Sequence, residues 1–201
     1  MEKRKWLAGM FILFMSLGMF GNTSFAGNGQ SELAKVRKAT AKYHTVENAI
    51  ADGYEPVGPA IEVPGFGTMG YHYINFAYLA NPQIELEKPE VLLYTATKDQ
   101  KDSVRLVGVE YVVASVDWED KNGITHPGWD GAEPPSLFGE VFEGPMAGHG
   151  PGEPWHYDKH VWIWQANPNG VNEPIWPESP GLFSQFNPNV KCEGCFPADM
   201  E

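Results

Sequence analysis

The chain has 201 residues, of which 42% are hydrophobic, and its formal charge is −12. This length and this hydrophobic content suit one domain with a core of its own. Because so acidic a chain repels phosphate backbones and anionic lipids, we expect neither nucleic acid nor a membrane surface as a partner.

Residues 1–26 have the pattern of a secretory signal peptide. A basic start at 3–5 is followed by an apolar run over 7–20 and by a small-x-small cleavage site, Ser24-Phe25-Ala26. The apolar run is shorter than the ~20 residues that a membrane-spanning helix requires. We therefore predict a secreted or periplasmic protein, with no membrane association after signal removal. Residues 27–201 are expected to form a single β-rich domain.

Residues 30–52 show the periodicity of one amphipathic helix. Ser31 is suited to cap its start, and Gly53 is placed to end it. His44 lies beside the apolar stripe, where an ordinary exposed or packed helix histidine is expected. The apolar residues that recur at helical spacing are Leu33, Val36, Ala39, Tyr43, Val46 and Ile50.

After a Pro/Gly-rich connection over 54–67, the pattern changes to strands. The segment 104–115 is apolar on both faces, which is typical of an interior strand. Because the strands do not alternate with helices, a parallel doubly wound sheet is disfavoured. We predict an α+β, mainly β fold: the N-terminal helix packs on an antiparallel sheet or small barrel with long Pro/Gly-rich loops. Strands are predicted over 68–76, 90–97, 104–115, 137–142 and 158–166.

The C-terminal part of the chain, from 167 onward, has the composition of coil. Cys192 and Cys195 are its two cysteines, and export would favour a local disulfide between them. Their Pro/Asn-rich surroundings argue against a redox motif, which normally opens a helix after a strand. The aromatic residues expected to pack over the fold as a lid are Trp176, Phe183 and Phe186.

Glu110 is the most informative residue of the predicted strands. It lies in the middle of the segment 104–115 among valines, where an ionised carboxylate without a partner would be costly to bury. It must pair with a cation, bind a metal, face a wet cavity or stay protonated. The two-residue period places Leu106 and Val112 on its face and Arg105 on the opposite face.

His72 has the same character, because it lies between Tyr71 and Tyr73 in a predicted strand. Taken alone, it is best explained as a core histidine with a satisfied hydrogen bond, and a salt bridge to a lysine or arginine would similarly explain Glu110. The presence of a histidine-rich stretch elsewhere in the chain favours a shared site instead.

That stretch is residues 148–170, with the sequence GHGPGEPWHYDKHVWIWQANPNG. His149 follows a flexible Gly/Pro approach that could bring its imidazole to a site. His156, Asp158 and His160 share one strand face if the strand begins that early. Since residues two apart stand ~6–7 Å apart along a strand, His156 and His160 are too distant for one ion in straight extended backbone. Either His156 lies on a curved loop, or one of the two histidines only supports the ligands.

Several histidines with one carboxylate form the ligand set of zinc, non-haem iron, manganese or copper sites. We therefore predict a divalent transition-metal site. Met69 and Met146 are interpreted as packing residues. Trp155, Trp162 and Trp164 are expected to wall the cavity or, equally well, to belong to an ordinary aromatic core. The predicted metal ligands are His72, Glu110, His149, His156 and His160.

Three segments in combination resemble a family of exported bacterial proteins of uncharacterised function. They are MGYHY at 69–73, LVGVEY at 106–111 and HYDKHVWIWQANPNG at 156–170, the last matching the pattern HYDxHVWxWxxNPNG. The resemblance covers nearly all of the chain after the signal peptide and implies one compact domain. It implies no activity and no catalytic residue.

Three functions follow from these patterns. The first is an exported single-domain protein with a His/Glu transition-metal site in a β scaffold, which leaves open whether the protein is a metal-dependent enzyme. The second is a non-enzymatic module that binds a carbohydrate or another small molecule in an aromatic-lined cavity. The third is a structural surface protein whose histidines only satisfy a polar core.

Overall fold

The computed structural model describes residues 24–97, 103–115, 133–148, 154–168, 181–193 and 196–197. Most of the predicted signal peptide, together with His149 and Trp176, lies outside these ranges. Cys192 is disulfide-bonded, while Cys195, its expected partner, is outside the described residues. In the described part of the chain, no helix has both the length and the apolar character to span a bilayer.

The N-terminal helical region is broken, so the prediction of one continuous helix is wrong. Helix α1 covers Ser24–Thr40, a 3-10 turn covers Ala41–His44, and α2 covers Val46–Ala51. Thr45 between them is extended, with φ −93° and ψ 105°. At the break, the Tyr43 carbonyl accepts a hydrogen bond from a sheet residue, the Tyr94 hydroxyl, at 2.7 Å. The sheet therefore supplies a hydrogen-bond donor to a carbonyl group that would bond within the helix if the helix were unbroken.

The break also changes which side chains face the core. Ala49 is fully buried, whereas Ile50, which the helical stripe placed in the core, is 54% exposed. Leu33 and Val36 of α1 are buried in the main hydrophobic cluster as predicted. Gly53 ends α2 with φ +91°, a conformation that glycine adopts without strain.

One six-stranded antiparallel sheet is the centre of the fold, with β1 and β9 at its two edges. The strands in chain order are β1 Glu55–Val57, β2 Ile61–Val63, β3 Gly67–Thr68, β4 Tyr71–Ile74, β5 Val91–Ala96, β6 Val104–Ala114, β7 Ser136–Leu137, β8 Glu140–Val141, β9 Glu143–Met146, β10 His156–Val161 and β11 Phe196–Pro197. A short helix α3, Phe76–Leu79, follows β4. The strand order of the central sheet is β1-β4-β5-β6-β10-β9. The predicted fold class is therefore confirmed, with an open sheet rather than a barrel across the described ranges.

Strand β6 is the interior strand that its sequence predicts, since it pairs with β5 on one side and β10 on the other. Two smaller sheets, β11-β2-β3 and β7-β8, complete the architecture. The segment 54–67, predicted as a connection, contains β1 and β2. The predicted strand 68–76 is divided, because Gly70 turns the chain with φ +87° and its Cα approaches the Tyr94 carbonyl too closely for a Cβ. Phe183 and Phe186 are buried in two separate clusters and do not form a lid.

A β-bulge in β6 decides which of its side chains meet. Leu93 of β5 is opposite Gly108, but the next residue, Tyr94, is opposite Leu106, so Val107 is the extra residue. The bulge turns Leu106 into the main core, away from the face that carries Glu110. The regular-strand prediction that Leu106 shares the face of Glu110 is therefore wrong.

Arg105 lies at the exposed end of the same strand. Its guanidinium group donates a hydrogen bond to the Gln165 side chain at 2.8 Å. Arg105 is therefore not the partner of Glu110, which confirms the prediction. The reason differs, because the bulge removes the regular strand geometry on which the prediction was based.

The face of β10 that carries Tyr157 and Val161 belongs to the main core, and Lys159 lies between them. The Lys159 ammonium group donates to the Glu143 carboxylate at 2.6 Å, and both side chains are buried. Each charge of such a pair depends on the other, because the interior offers little solvation.

We expect Lys159→Met alone to lower the free energy of unfolding by about 3–5 kcal/mol, because Glu143 then keeps a buried charge without its cation. The double variant Lys159→Met/Glu143→Leu is expected to recover most of that loss, since both charges are gone. Urea denaturation of the wild type and the variants measures both values. A double variant as unstable as the single one would contradict this account of the pair.

Candidate metal centre

Three strands bring His72, Glu110 and His160 together on the face of the sheet opposite the main core. His160 of β10 is the direct cross-strand neighbour of Glu110 of β6. His72 of β4 is opposite Leu93 of β5, which is opposite Gly108, two residues before Glu110. The long histidine side chain reaches Glu110 across this diagonal.

These three residues form a compact group, which we call the first triad. The Nε2 atom of His72 is 3.2 Å from the Oε2 atom of Glu110, and the Nε2 atom of His160 is 3.9 Å from the same oxygen. One ligand atom from each residue lies within 4.8 Å of the others. All three side chains are buried, and Glu110 is only 1% exposed.

Glu110 also belongs to a second triad, which it forms with His156 and Asp158. The His156 Nε2 atom is 3.8 Å from the Asp158 Oδ2 atom, and the same oxygen is 3.9 Å from the Nδ1 atom of His160. The two ring nitrogens of His160 therefore face two carboxylates. Both distances are in the range of an ion pair and are longer than a hydrogen bond.

The burial of these groups changes their protonation. Burial raises the pKa of Glu110 to about 7, although the neighbouring His72 opposes this change. Burial lowers the pKa of His156, but the Asp158 carboxylate outweighs it and raises the pKa to about 9. The cluster is thus a set of electrostatically linked groups whose charges depend on one another.

A small cavity lies against the cluster. Its volume is about 10 Å³, and its polar lining comes from His72, Glu110 and His156. A space of this size holds about one water molecule. The remaining lining is apolar and keeps bulk water out; it consists of Ile74, Leu79, Val91, Val112 and Pro154.

Of the three tryptophans expected to wall the cavity, Trp162 is buried with its ring centroid 6.0 Å from that of His160. Trp155 is 49% exposed, and Trp164 packs edge-on against His44 at 4.5 Å. None of the three belongs to the lining of the small cavity, whose apolar part is aliphatic, so the expectation of a tryptophan wall is wrong.

The structure brings together His72, Glu110, His156 and His160 from the predicted ligand list, and His149 lies outside the described residues. His156 is in strand β10, so its predicted alternative position on a curved loop is wrong. In line with the distance argument, it joins a different triad from His160. Met146, interpreted as packing, accepts a hydrogen bond through sulfur from Gln185 at 3.6 Å.

Asp158 is missing from the predicted ligands, although the sequence carried a signal for it. It stands between His156 and His160 on the two-residue period of one strand face. It is fully buried, with its carboxylate directed at both histidines. An acidic residue flanked in this way is as strong a candidate as the histidines themselves.

Comparison with protein-family models, curated proteins and solved structures gives no match for this chain. The chemistry of the cluster therefore has to be derived from its own residues and geometry.

A third carboxyl group, that of Glu90, is buried near the cluster. It accepts a hydrogen bond from the Val112 backbone N–H at 3.0 Å. Burial raises the pKa of Glu90 to about 8 from an ordinary value of 4.5, and the charge of Glu110 adds to the effect. A carboxyl with a raised pKa keeps its proton in the folded protein over a range in which the unfolded chain has lost it.

Glu90 is therefore expected to lower stability as pH rises from about 4.5 to 8, because folding then requires proton uptake. In metal-free protein, Glu90→Gln should raise the free energy of unfolding at pH 9 by about 2–5 kcal/mol and change it little at pH 4. Thermal and urea unfolding at both pH values measure the difference between variant and wild type. An equal effect at both pH values would contradict the assignment.

Proposed function

We propose that this chain is an exported metal-binding protein that holds a divalent transition-metal ion at the first triad. The observation that carries the proposal is the convergence of two imidazoles and one carboxylate from three strands in a buried site. Two histidines with one carboxylate are a ligand set that zinc, iron, manganese and copper accept.

The distances support this proposal. Ligand atoms about 2.1 Å from a tetrahedral ion are roughly 3.4 Å from one another. The two distances from the Glu110 oxygen to His72 and His160, 3.2 and 3.9 Å, lie on either side of that value. Modest side-chain rotations would therefore bring the three atoms around one ion.

A plain ion pair between His72 and Glu110 would explain only part of the cluster. It would not explain why His160, Asp158 and His156 are also buried on the same face. One cation offsets the charge of Glu110 and at the same time uses the imidazoles as neutral ligands.

The size of the cavity defines the chemistry. Within the described part of the chain, a space of about 10 Å³ has room for a solvent molecule or a similarly small ligand beside Glu110. We therefore assign metal binding to the site and do not assign catalysis on an organic substrate to it.

Elemental analysis of the protein, purified without a histidine tag, tests the proposal. At least one equivalent of metal per chain is expected, directly or after reconstitution with zinc, copper, iron or manganese. Removal of the metal with EDTA should lower the melting temperature, since an ion at 100 times its dissociation constant contributes about 2.7 kcal/mol. Less than one equivalent under all four conditions would contradict the proposal.

The variant Glu110→Gln removes the shared carboxylate with little change in shape, and we expect it to weaken metal affinity at least about 100-fold. His44→Ala is the matched control, because His44 is exposed on the helical region and packs on Trp164 away from the cluster. The control is expected to bind metal as the wild type does. Unchanged metal affinity in Glu110→Gln would show that the ion is bound elsewhere.

A second candidate function, ligand binding without catalysis, is supported by a separate cleft. This cleft has a volume of about 410 Å³, and its lining includes Tyr71, Tyr73 and Glu193. Its size is that of a small-molecule site. Tyrosine rings can pack against the apolar face of a sugar, and hydroxyl groups can form hydrogen bonds to it. His72 lines both the cleft and the small cavity, so the two sites meet at one residue.

If the cleft binds carbohydrate, simple sugars should raise the melting temperature in the presence of EDTA, when the metal site plays no part. Tyr73→Ala should remove this increase, because it removes an aromatic face from the cleft. Glu110→Gln serves as the control and should leave it unchanged. A stabilisation that disappears with EDTA would assign the effect to the metal site instead.

A further inference from the structure

The second triad shares one carboxylate with the first triad and adds two side chains that the first triad lacks. Glu110 is common to both, while His156 and Asp158 belong to the second alone. We infer that the second triad holds a second divalent ion, so that the Glu110 carboxylate bridges a two-ion centre. The inference rests on the proposed function, since it presupposes an ion at the first triad.

Geometry separates the cluster into two positions. In each triad, one ligand atom from each residue lies within 4.8 Å of the others, and among the described residues no such group contains both His72 and His156. A single ion in this conformation therefore does not reach both histidines. A carboxylate has two oxygens and can bind two ions at once, and two-ion sites hold their ions about 3.5–4 Å apart.

The register of β10 explains the separation. His156 and His160 lie on the same face, opposite Ala114 and Glu110 of β6. Four residues of strand span roughly 13 Å, so the two imidazoles leave the backbone at distant points. Asp158 stands midway, and its Oδ2 atom is 3.8 Å from one histidine and 3.9 Å from the other. The strand thus provides ligands for two neighbouring ions more readily than for one.

The cavity is placed as a two-ion centre requires. Its polar lining combines His72 of the first triad, His156 of the second, and Glu110 of both. The room for one water-sized ligand therefore lies in reach of both proposed positions. A small bridging anion or solvent molecule is the class of ligand that this space accepts.

The charges in the neighbourhood also suit two cations. Glu110 and Asp158 are two buried carboxylates within one cluster, and Glu90, a third buried carboxyl group, interacts electrostatically with Glu110. Two divalent ions would exceed the charge of the first two groups alone. An anionic ligand in the cavity would reduce the excess.

Loading with Mn²⁺ tests the inference on the full chain. Metal-free protein is saturated with Mn²⁺, dialysed and analysed for manganese per chain, and its electron paramagnetic resonance spectrum is recorded. We expect two ions per chain with the spectrum of an exchange-coupled pair. Because the chain is acidic, its surface could also hold Mn²⁺, but such ions would not be coupled.

His156→Ala is expected to reduce the content to one ion and to abolish the coupling, while His44→Ala keeps both ions and the coupled spectrum. The ion that His156→Ala retains also shows that this variant is folded. Saturation of the wild type at one ion, or two ions without coupling, would overturn the inference and leave the proposed function intact. Failure to bind any ion with zinc, copper, iron and manganese alike would overturn both.

Discussion

The structure depends on one costly constraint, a carboxylate in the middle of its most interior strand. Strand β6 is buried along most of its length, and Glu110 is 1% exposed within it. An isolated ionised group there would destabilise the fold by far more than the marginal free energy that proteins possess. Two histidines offset this cost: His160 from the adjacent strand β10, and His72 from β4, which reaches Glu110 across β5.

The backbone near Glu110 has two features that allow the side chains of the cluster to approach one another. The bulge at Val107 turns Leu106 into the main core and leaves Gly108 next to Glu110 on the polar face. A Cβ atom at Gly108 would lie 2.8 Å from the Val161 carbonyl oxygen and 3.2 Å from the Trp162 ring. The absence of a side chain at Gly108 therefore allows β10 and Trp162 to pack closely beside the site.

The sequence predicts that the ionisable side chains meet, but it predicts poorly how they are arranged. Glu110 and His72 stand out because ionisable groups in apolar strands need partners, and this reasoning requires only burial and charge. The exact partners depend on register, which one inserted residue changes. Gly108 is compatible with a bulge, but the sequence does not show that Val107 is the extra residue. The helix break has a similar cause, because the hydroxyl that contacts the Tyr43 carbonyl belongs to Tyr94, distant in the sequence. Periodicity carries no information about such long-range contacts.

Strand β10 carries buried charge on both of its faces, which distinguishes it from an ordinary core strand. Lys159 pairs with Glu143 on the main-core side, and Asp158 lies between two histidines on the other. This ion pair is electrically neutral, since the Lys159 ammonium group is 2.6 Å from the Glu143 carboxylate. On the opposite face, Asp158 and the neighbouring Glu110 of β6 lie beside histidines, whose positive charge depends on protonation. A metal cation at the proposed site would supply a positive charge at any pH at which its ligands are deprotonated, and it would link β4, β6 and β10, which are distant in the sequence.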